Sequence, residues 1–346
     1  MKKLNYLFGA ALVAFGATLA SCSVEDNSTP DPRVKNEAEL AIALAAGGTV
    51  ELAPGAEIEL TEALNLTTAT QIVGDEANPA TIITGEGGIT TNNSLEISNV
   101  KIDATALKAA LVALETPEAK AKKADGTESD YGLIDNLSLT NVEISGLTQP
   151  LIKGKGKIVF DKIIIENDII EVSGSNVLFA LDGGYPTDMQ IKNSTIWSKT
   201  KHTGFFIQAQ GRPKDATGAT SFSVDQTTLY KISSGKKANN NNSGIKGQST
   251  TSISLTNSIL VDFGSNVGNE VNGWLFGQNS TSPKVTYANN TYVSADGELV
   301  SGWTDDTKVG SDQSETAGTV VPQFKDEANG DFTQFATTAG DPRWTK

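Results

Sequence analysis

Few residue types in this chain can do chemistry, and their scarcity narrows the choices. Among 346 residues there is one histidine, His202, and one cysteine, Cys22. A serine triad could draw its base only from His202, and a thiol nucleophile could pair only Cys22 with His202. One thiol and one imidazole cannot furnish a zinc site of the usual ligand types, and a lone cysteine cannot build a disulfide framework. No metal site and no resident cofactor are expected. A glycosidase would need clustered acids on one face, yet the only Asp-Asp pair is Asp305-Asp306, in a weakly patterned tail. With 27 basic against 41 acidic residues and a net charge of -14, the chain is also a poor partner for nucleic acid.

One segment runs against that acidic background. From Met189 to Lys214 there is no Asp or Glu, while Lys192, Lys199, Lys201, Arg212 and Lys214 accompany Trp197 and His202. Such a stretch reads as a landing site for an anionic sugar. The fork of Arg212 suits a carboxylate or sulfate, Trp197 offers a ring face to a pyranose, and Lys201 and His202 flank them. The bland reading is a solvated basic turn that dilutes the acidic field. Trp303, in a Ser-Gly-Trp-Thr loop, is a second aromatic expected to point outward. Trp274 opens a core-like Trp-Leu-Phe run, and Trp344 is expected to close the end of the structure. Asp182, Gln210, Gln248 and Gln278 fall in one column after aligned apolar segments, which suggests a structural side-chain ladder, with a polar sugar-binding stripe as the alternative.

The elements that must carry these residues repeat. An octet with apolar first, third and eighth positions, and often Asn at the fifth, begins at Leu95, Leu137, Ile158, Met189, Phe222, Ile253 and Val285. Its fifth positions fall at 99, 141, 162, 193, 226, 257 and 289, so the first interval leaves room for an interrupted turn. Apolar alternation makes a strand with one buried face, and the fifth-position Asn marks a corner that tolerates left-handed backbone. Short strands of this kind bury a core only when stacked about one axis. The expectation is all-β: a right-handed parallel β-helix with an N-terminal capping helix over Glu37–Ala46. Tandem sandwiches are the competitor, but they would not keep one register over about 200 residues. A single domain is expected over 35–346, with a helical insertion near 104–124 and a capping tail near 297–346, where Phe324, Phe332, Phe335 and Trp344 would seal the last rung.

At the N-terminus, Lys2 and Lys3 precede an apolar stretch and then Leu19-Ala20-Ser21-Cys22, a pattern that describes an export signal over 1–21. The Leu-Ala-Ser-Cys sequence resembles the bacterial lipobox, which implies lipidation of Cys22 and a tether over 22–34. The acidic run Ser23-Val-Glu-Asp-Asn27 partly resembles the surface-export signal of Bacteroidetes lipoproteins. Together with the octets, Ile72-Val-Gly74 and the ending Gly330-Asp-Phe332…Gly340-Asp-Pro-Arg-Trp344, the chain resembles a group of Bacteroides-type lipoproteins with a pectate-lyase-like β-helix. That resemblance implies an outer-membrane lipoprotein at the cell surface, touching the membrane only through its lipid, with a polysaccharide as partner. The leading expectation is a non-catalytic glycan-binding protein of a glycan-utilisation system. The alternative is a polysaccharide lyase, with Lys192, Lys199, Lys201 or Arg212 as base and calcium held by acids that the sequence does not single out. A purely structural surface protein is the third reading.

Overall fold

The computed structural model describes residues 32–181, 183–209, 216, 219–235, 251–264, 284–299, 320–334 and 337–345. The chain from Arg33 onward forms one compact unit, a parallel β-helix of three sheets. The first sheet orders β1 (Gly48–Glu51), β4 (Thr70–Val73), β7 (Leu95–Ser98), β11 (Glu128–Thr140) and β14 (Ile158–Glu166). It continues with β17 (Tyr185–Lys192), β20 (Thr220–Asp225), β22 (Thr251–Thr256) and β24 (Lys284–Ala288). The second sheet orders β2 (Glu57–Glu59), β5 (Ala80–Ile83), β8 (Val100–Asp103), β12 (Glu143–Leu147) and β15 (Ile169–Val172). After these come β18 (Thr195–Trp197), β21 (Thr228–Tyr230), β23 (Ile259–Val261) and β25 (Thr291–Val293). The third sheet holds β3 (Leu64–Leu66), β6 (Ile89–Thr91), β9 (Val112–Leu114), β13 (Ile152–Gly154), β16 (Phe179–Ala180) and β19 (Ile207–Gln208) among the described residues. A helix α1 (Glu37–Ala46) covers the first rung with Leu40 and Leu44. Asn36 accepts the Glu39 N–H at 3.0 Å as its N-cap, and Gly47 at φ +71° ends it.

The octets are the joints of this stack. Their first and third positions in the first sheet, from Leu95 and Ile97 to Ile253 and Leu255, are at most 1% exposed, so the alternation does make the core. Each such side chain contributes about 1.5–3 kcal/mol. The corner residues Asn99, Asn141, Asn193, Gln226, Asn257 and Asn289 all take φ between 47° and 60°. Asn tolerates that conformation, and its amide bridges rungs: Asn141 Nδ2 donates to Asn99 Oδ1 at 2.8 Å, and Asn289 Nδ2 to Asn257 Oδ1 at 3.2 Å.

One copy of the octet is out of register. Lys162 is an exposed strand residue, and the corner of its rung is Asn167 at φ 57°. Ile163, not Ile158, pairs with Leu137 and Met189. The false copy arises because β11, β14 and β17 extend the first sheet N-terminally. Ile134, Phe160 and Pro186 pair there, and two outward residues follow before the regular octet begins.

Behind the corner lies a polar column that alternation alone does not reveal. Asp168, Ser194, Thr227, Ser258 and Asn290 are each fully buried. The Val142 N–H donates to Asp168 Oδ1 (2.7 Å), Asp168 N–H to Ser194 Oγ (3.1 Å), Thr227 N–H to Ser258 Oγ (3.1 Å) and Ser258 N–H to Asn290 Oδ1 (2.9 Å). A left-handed corner turns the next N–H away from the ladder of carbonyls. The side chain one rung on replaces the missing acceptor, which a buried amide requires.

Two expected helical or capping features take other forms. Residues 104–124 contain no helix. Leu107, Leu111 and Leu114 are buried in the common core, and β9 pairs with β6 and β13, because strand pairing overrides the helical propensity of an Ala/Lys-rich segment. The long first interval is a single turn, since β7 pairs directly with β11. The C-terminal tail does not seal the last rung with Phe324, Phe332 and Trp344. It runs back along the outside of the second sheet, where these rings cover Ile169, Trp197, Tyr230 and Val261. Phe335 lies outside the described residues. Arg343 donates to the corner carbonyls of Asn167 (2.9 Å), Asp168 (2.7 Å) and Asn193 (3.2 Å), and Trp344 Nε1 donates to Thr195 Oγ1 at 2.8 Å. The tail is a strap.

Candidate functional site

The basic segment 189–214 lies partly on the outer face of the second sheet, and each of its three described lysines has an acid beside it. Lys192 meets Glu166 at 3.5 Å, Lys199 meets Glu171 at 3.3 Å and Lys201 meets Asp262 at 3.4 Å. The segment is free of acids in sequence but not in space, because neighbouring rungs supply them. Trp197 leaves the core as expected but does not reach solvent. It is 4% exposed, with Phe332 edge-on at 5.8 Å and the Lys199 ammonium 5.8 Å from its ring centroid. The backbone of Gly330 also presses on the indole, leaving no room for a Cβ there. A sugar cannot stack on a ring already covered by the strap.

His202 is likewise interior rather than flanking a surface site. Its Nε2 lies 2.7 Å from the Asn176 carbonyl, and its Nδ1 accepts the Ser233 N–H at 3.0 Å. These two bonds specify a neutral ring with the proton on Nε2, and burial holds its pKa below the usual imidazole value. Arg212, Lys214, Trp303, Trp274 and the column Asp182, Gln210, Gln248 and Gln278 lie outside the described residues, as do Cys22 and Asp305-Asp306.

A different place on the molecule has the shape of a binding site. Between β9 and β11 the chain leaves the solenoid and returns as a hairpin, β10 (Lys120–Lys122) pairing antiparallel with the start of β11. Its turn spans Lys123 to Thr127, with Gly126 at φ +84° and the Asp125 side chain accepting the Thr127 N–H at 2.9 Å. At its base a Cβ on Gly132 would stand 2.5 Å from Pro117, so only glycine lets the hairpin fold down. It lies over the widened part of the first sheet, where Ala121, Val159 and Tyr185 form a small outer cluster with Tyr131, Leu133 and Ala216. Ala216, which precedes β20 in the chain, bridges antiparallel to Lys123. The hairpin and Ala216 therefore meet over β14 and β17.

Under this roof is a cleft of about 260 Å³ lined by Lys122, Lys123, Ser129, Asp130, Tyr131, Tyr185 and Ala216. The Tyr131 and Tyr185 rings meet edge-on, 5.5 Å apart at 68°. The Lys157 ammonium lies 5.7 Å from the Tyr131 ring and pairs with Asp130 at 3.5 Å. Rung pairing does not need the hairpin, because β11 already pairs with β7 and β14. Ordering each of its residues costs about 1–2 kcal/mol of backbone entropy, which the hairpin's own hydrogen bonds and the small outer cluster offset. Beside it the outer face of the first sheet is polar. Asn136, Lys162, Asp188 and Ser221 follow one another along the axis by register. Gln190 Nε2 donates to Asp188 at 2.6 Å, Asn136 Nδ2 donates to Glu96 at 2.7 Å, and Asn136 Oδ1 is buried without a partner. The signal for this site in the sequence was the 42-residue interval itself, longer than any other between corners.

Residues 56–199 match the family described as Domain of unknown function (DUF4957), and residues 222–344 match Domain of unknown function (DUF5123). The boundary between the matches does not divide the fold, since β17 pairs with β20 and β18 with β21 across it. The strap of the second matched segment also closes on Trp197, Asn167 and Asn193 of the first. No curated protein matches the sequence.

Proposed function

We propose that this protein is a cell-surface lipoprotein, held by lipid on Cys22, that binds polysaccharide without cutting it. One observation carries the reading: a hairpin that the solenoid does not need meets Ala216 over a cleft with aromatic and polar walls, beside an outer sheet face lined with amide, hydroxyl and carboxylate groups. Rungs about 4.8 Å apart present such groups periodically, as an extended polymer would require. Sugar sites combine ring faces with a few placed polar groups, and the cleft has that make-up. The lyase reading has less support, because Lys192, Lys199 and Lys201 are each engaged by a carboxylate.

Affinity electrophoresis against pectic, sulfated and neutral glycans tests the reading, with absorbance of the reaction mixture followed in parallel. Retardation by at least one glycan without growth of unsaturated-uronate absorbance is expected. Steady growth of that absorbance would replace binding by β-elimination, and free migration in every glycan would remove the glycan ligand. For the anchor, Cys22→Ala should move the protein from the membrane fraction to the soluble fraction.

A further inference from the structure

We infer that the site takes a neutral glycan, with one uncharged pyranose ring against Tyr131 in the cleft and the rest of the polymer over the polar face of the first sheet. This inference rests on the glycan-binding reading and names the class of sugar. The charges around the cleft are already matched. Lys122 meets Glu128 at 3.5 Å, and Lys157 meets the cleft's own Asp130 at 3.5 Å. Lys123 is half-buried with a partner of its own, and its charge reaches Asp125 in the same turn. Both ion pairs are exposed and each is worth little, but an acidic sugar gains a lysine only by displacing the carboxylate that holds it. A net charge of -14 also repels an acidic polymer before contact. An uncharged polymer meets neither cost.

The polar face next to the cleft points to the same class. Asp188 lies three residues beyond Tyr185 on β17, about 10 Å along the strand. Its carboxylate accepts from Gln190 Nε2 at 2.6 Å and from the Ser221 hydroxyl. Glu96 accepts from Gln71 Nε2 at 2.9 Å and from Asn136 Nδ2 at 2.7 Å. Both carboxylates are thus oriented by uncharged donors. A carboxylate only accepts, so its open lone pairs suit the O–H groups of a neutral sugar and repel a uronate or a sulfate. In the cleft, Tyr185 is buried and its edge-on contact sets the Tyr131 ring. A preset aromatic wall costs little further ordering and matches the C–H face of a pyranose. The volume, about 260 Å³, lies just below the range of sites that enclose drug-sized ligands, so one ring fits and the rest of a polymer lies outside.

The test uses the full chain in affinity gels containing dextran, galactomannan or arabinoxylan as neutral polymers and polygalacturonate or dextran sulfate as acidic ones. Each variant is referred to its own mobility in a gel without glycan. The parent should be retarded most by a neutral polymer. Calorimetric titration with that polymer should give affinities within about twofold between low and high salt, because no ion pair forms. Tyr131→Leu, and Ser129→Leu, which adds bulk to the cleft, should each bind about tenfold more weakly with an unchanged circular dichroism spectrum. Should Tyr131→Leu lose the parent's spectrum, Ser129→Leu alone decides. Retardation strongest in an acidic polymer, or affinity that collapses with salt, would overturn the neutral class while glycan binding stands. A parent retarded by a neutral polymer, with folded variants that bind as it does, would sink the cleft and leave glycan binding intact. No retardation in any gel would overturn both readings together.

Discussion

His202 sits without solvent contact, donating from Nε2 to the Asn176 carbonyl and accepting the Ser233 N–H at Nδ1. Asp168 is equally buried, its Oδ1 bonded to the Val142 N–H and its Oδ2 without a partner. Burial moves the two in opposite directions: His202 below the usual imidazole range and Asp168 well above the usual carboxylate range. The unfolded chain therefore binds the His202 proton more tightly than the folded one. The stability this ring contributes is complete above about pH 6.5 and is lost as pH falls through its lowered native value. For Asp168 the folded state holds the proton more tightly, so stability declines as pH rises above about 4 toward its raised native value. In urea titrations across pH, Asp168→Asn should gain on the parent as pH rises through that window. The contribution of His202 is common to both chains and cancels in the difference. Parallel curves for the two proteins would show that Asp168 carries no such proton. Because His202 is the only imidazole, a single NMR titration should place its midpoint below about 6.5, with the neutral ring protonated at Nε2.

Among elements, the strap and the hairpin are the two departures from plain stacking. The strap covers the outward column Trp197, Tyr230 and Val261, together with Ile169 of the neighbouring column, which would otherwise meet water. Phe332 is its centre, fully buried with Tyr230 at 5.3 Å and Phe324 at 5.1 Å. Phe332→Ala should cost about 3–5 kcal/mol in denaturant unfolding and shift tryptophan emission as Trp197 meets solvent. A cost below about 1 kcal/mol would mean that the strap merely rests on the sheet. Asp341, whose side chain is fully buried, keeps Arg343 as its ion partner and accepts the Thr195 hydroxyl at 2.8 Å. The end of the strap is thereby tied to the corners of two rungs.

Across the whole molecule, two family matches share one stack. Their junction, between residues 199 and 222, is crossed by parallel pairing in the first and second sheets, and the strap spans it again from outside. Solenoid stability is a sum over rungs and the interfaces between them, so neither matched segment has a free surface suited to water at the cut. Calorimetry of the full chain should show one unfolding transition. Residues 33–200 expressed alone should aggregate or bind a hydrophobic dye, because β17, β18 and Trp197 would be uncovered. Two resolved transitions, or a soluble and cooperative fragment, would show that the matched segments are independent domains.

The octets determined the rungs by themselves, because alternation decides which side chains face a core and Asn at the fifth position tolerates the left-handed corner that closes each turn. The Glu37–Ala46 helix was legible for the same local reason, with Asn36 before it and Gly47 after. What spans rungs was not legible. The register of Lys162 against Asn167 depended on which of two alternating runs a neighbouring strand would pair. The buried column from Asp168 to Asn290 answers to amides one turn away. The charge of Lys192, Lys199 and Lys201 and the exposure of Trp197 depended on partners tens of residues away or more: Glu166, Glu171, Asp262 and Phe332. Local sequence encodes backbone preference and facing. Only tertiary stacking brings together the groups that cover a ring, cancel a charge or roof a cleft.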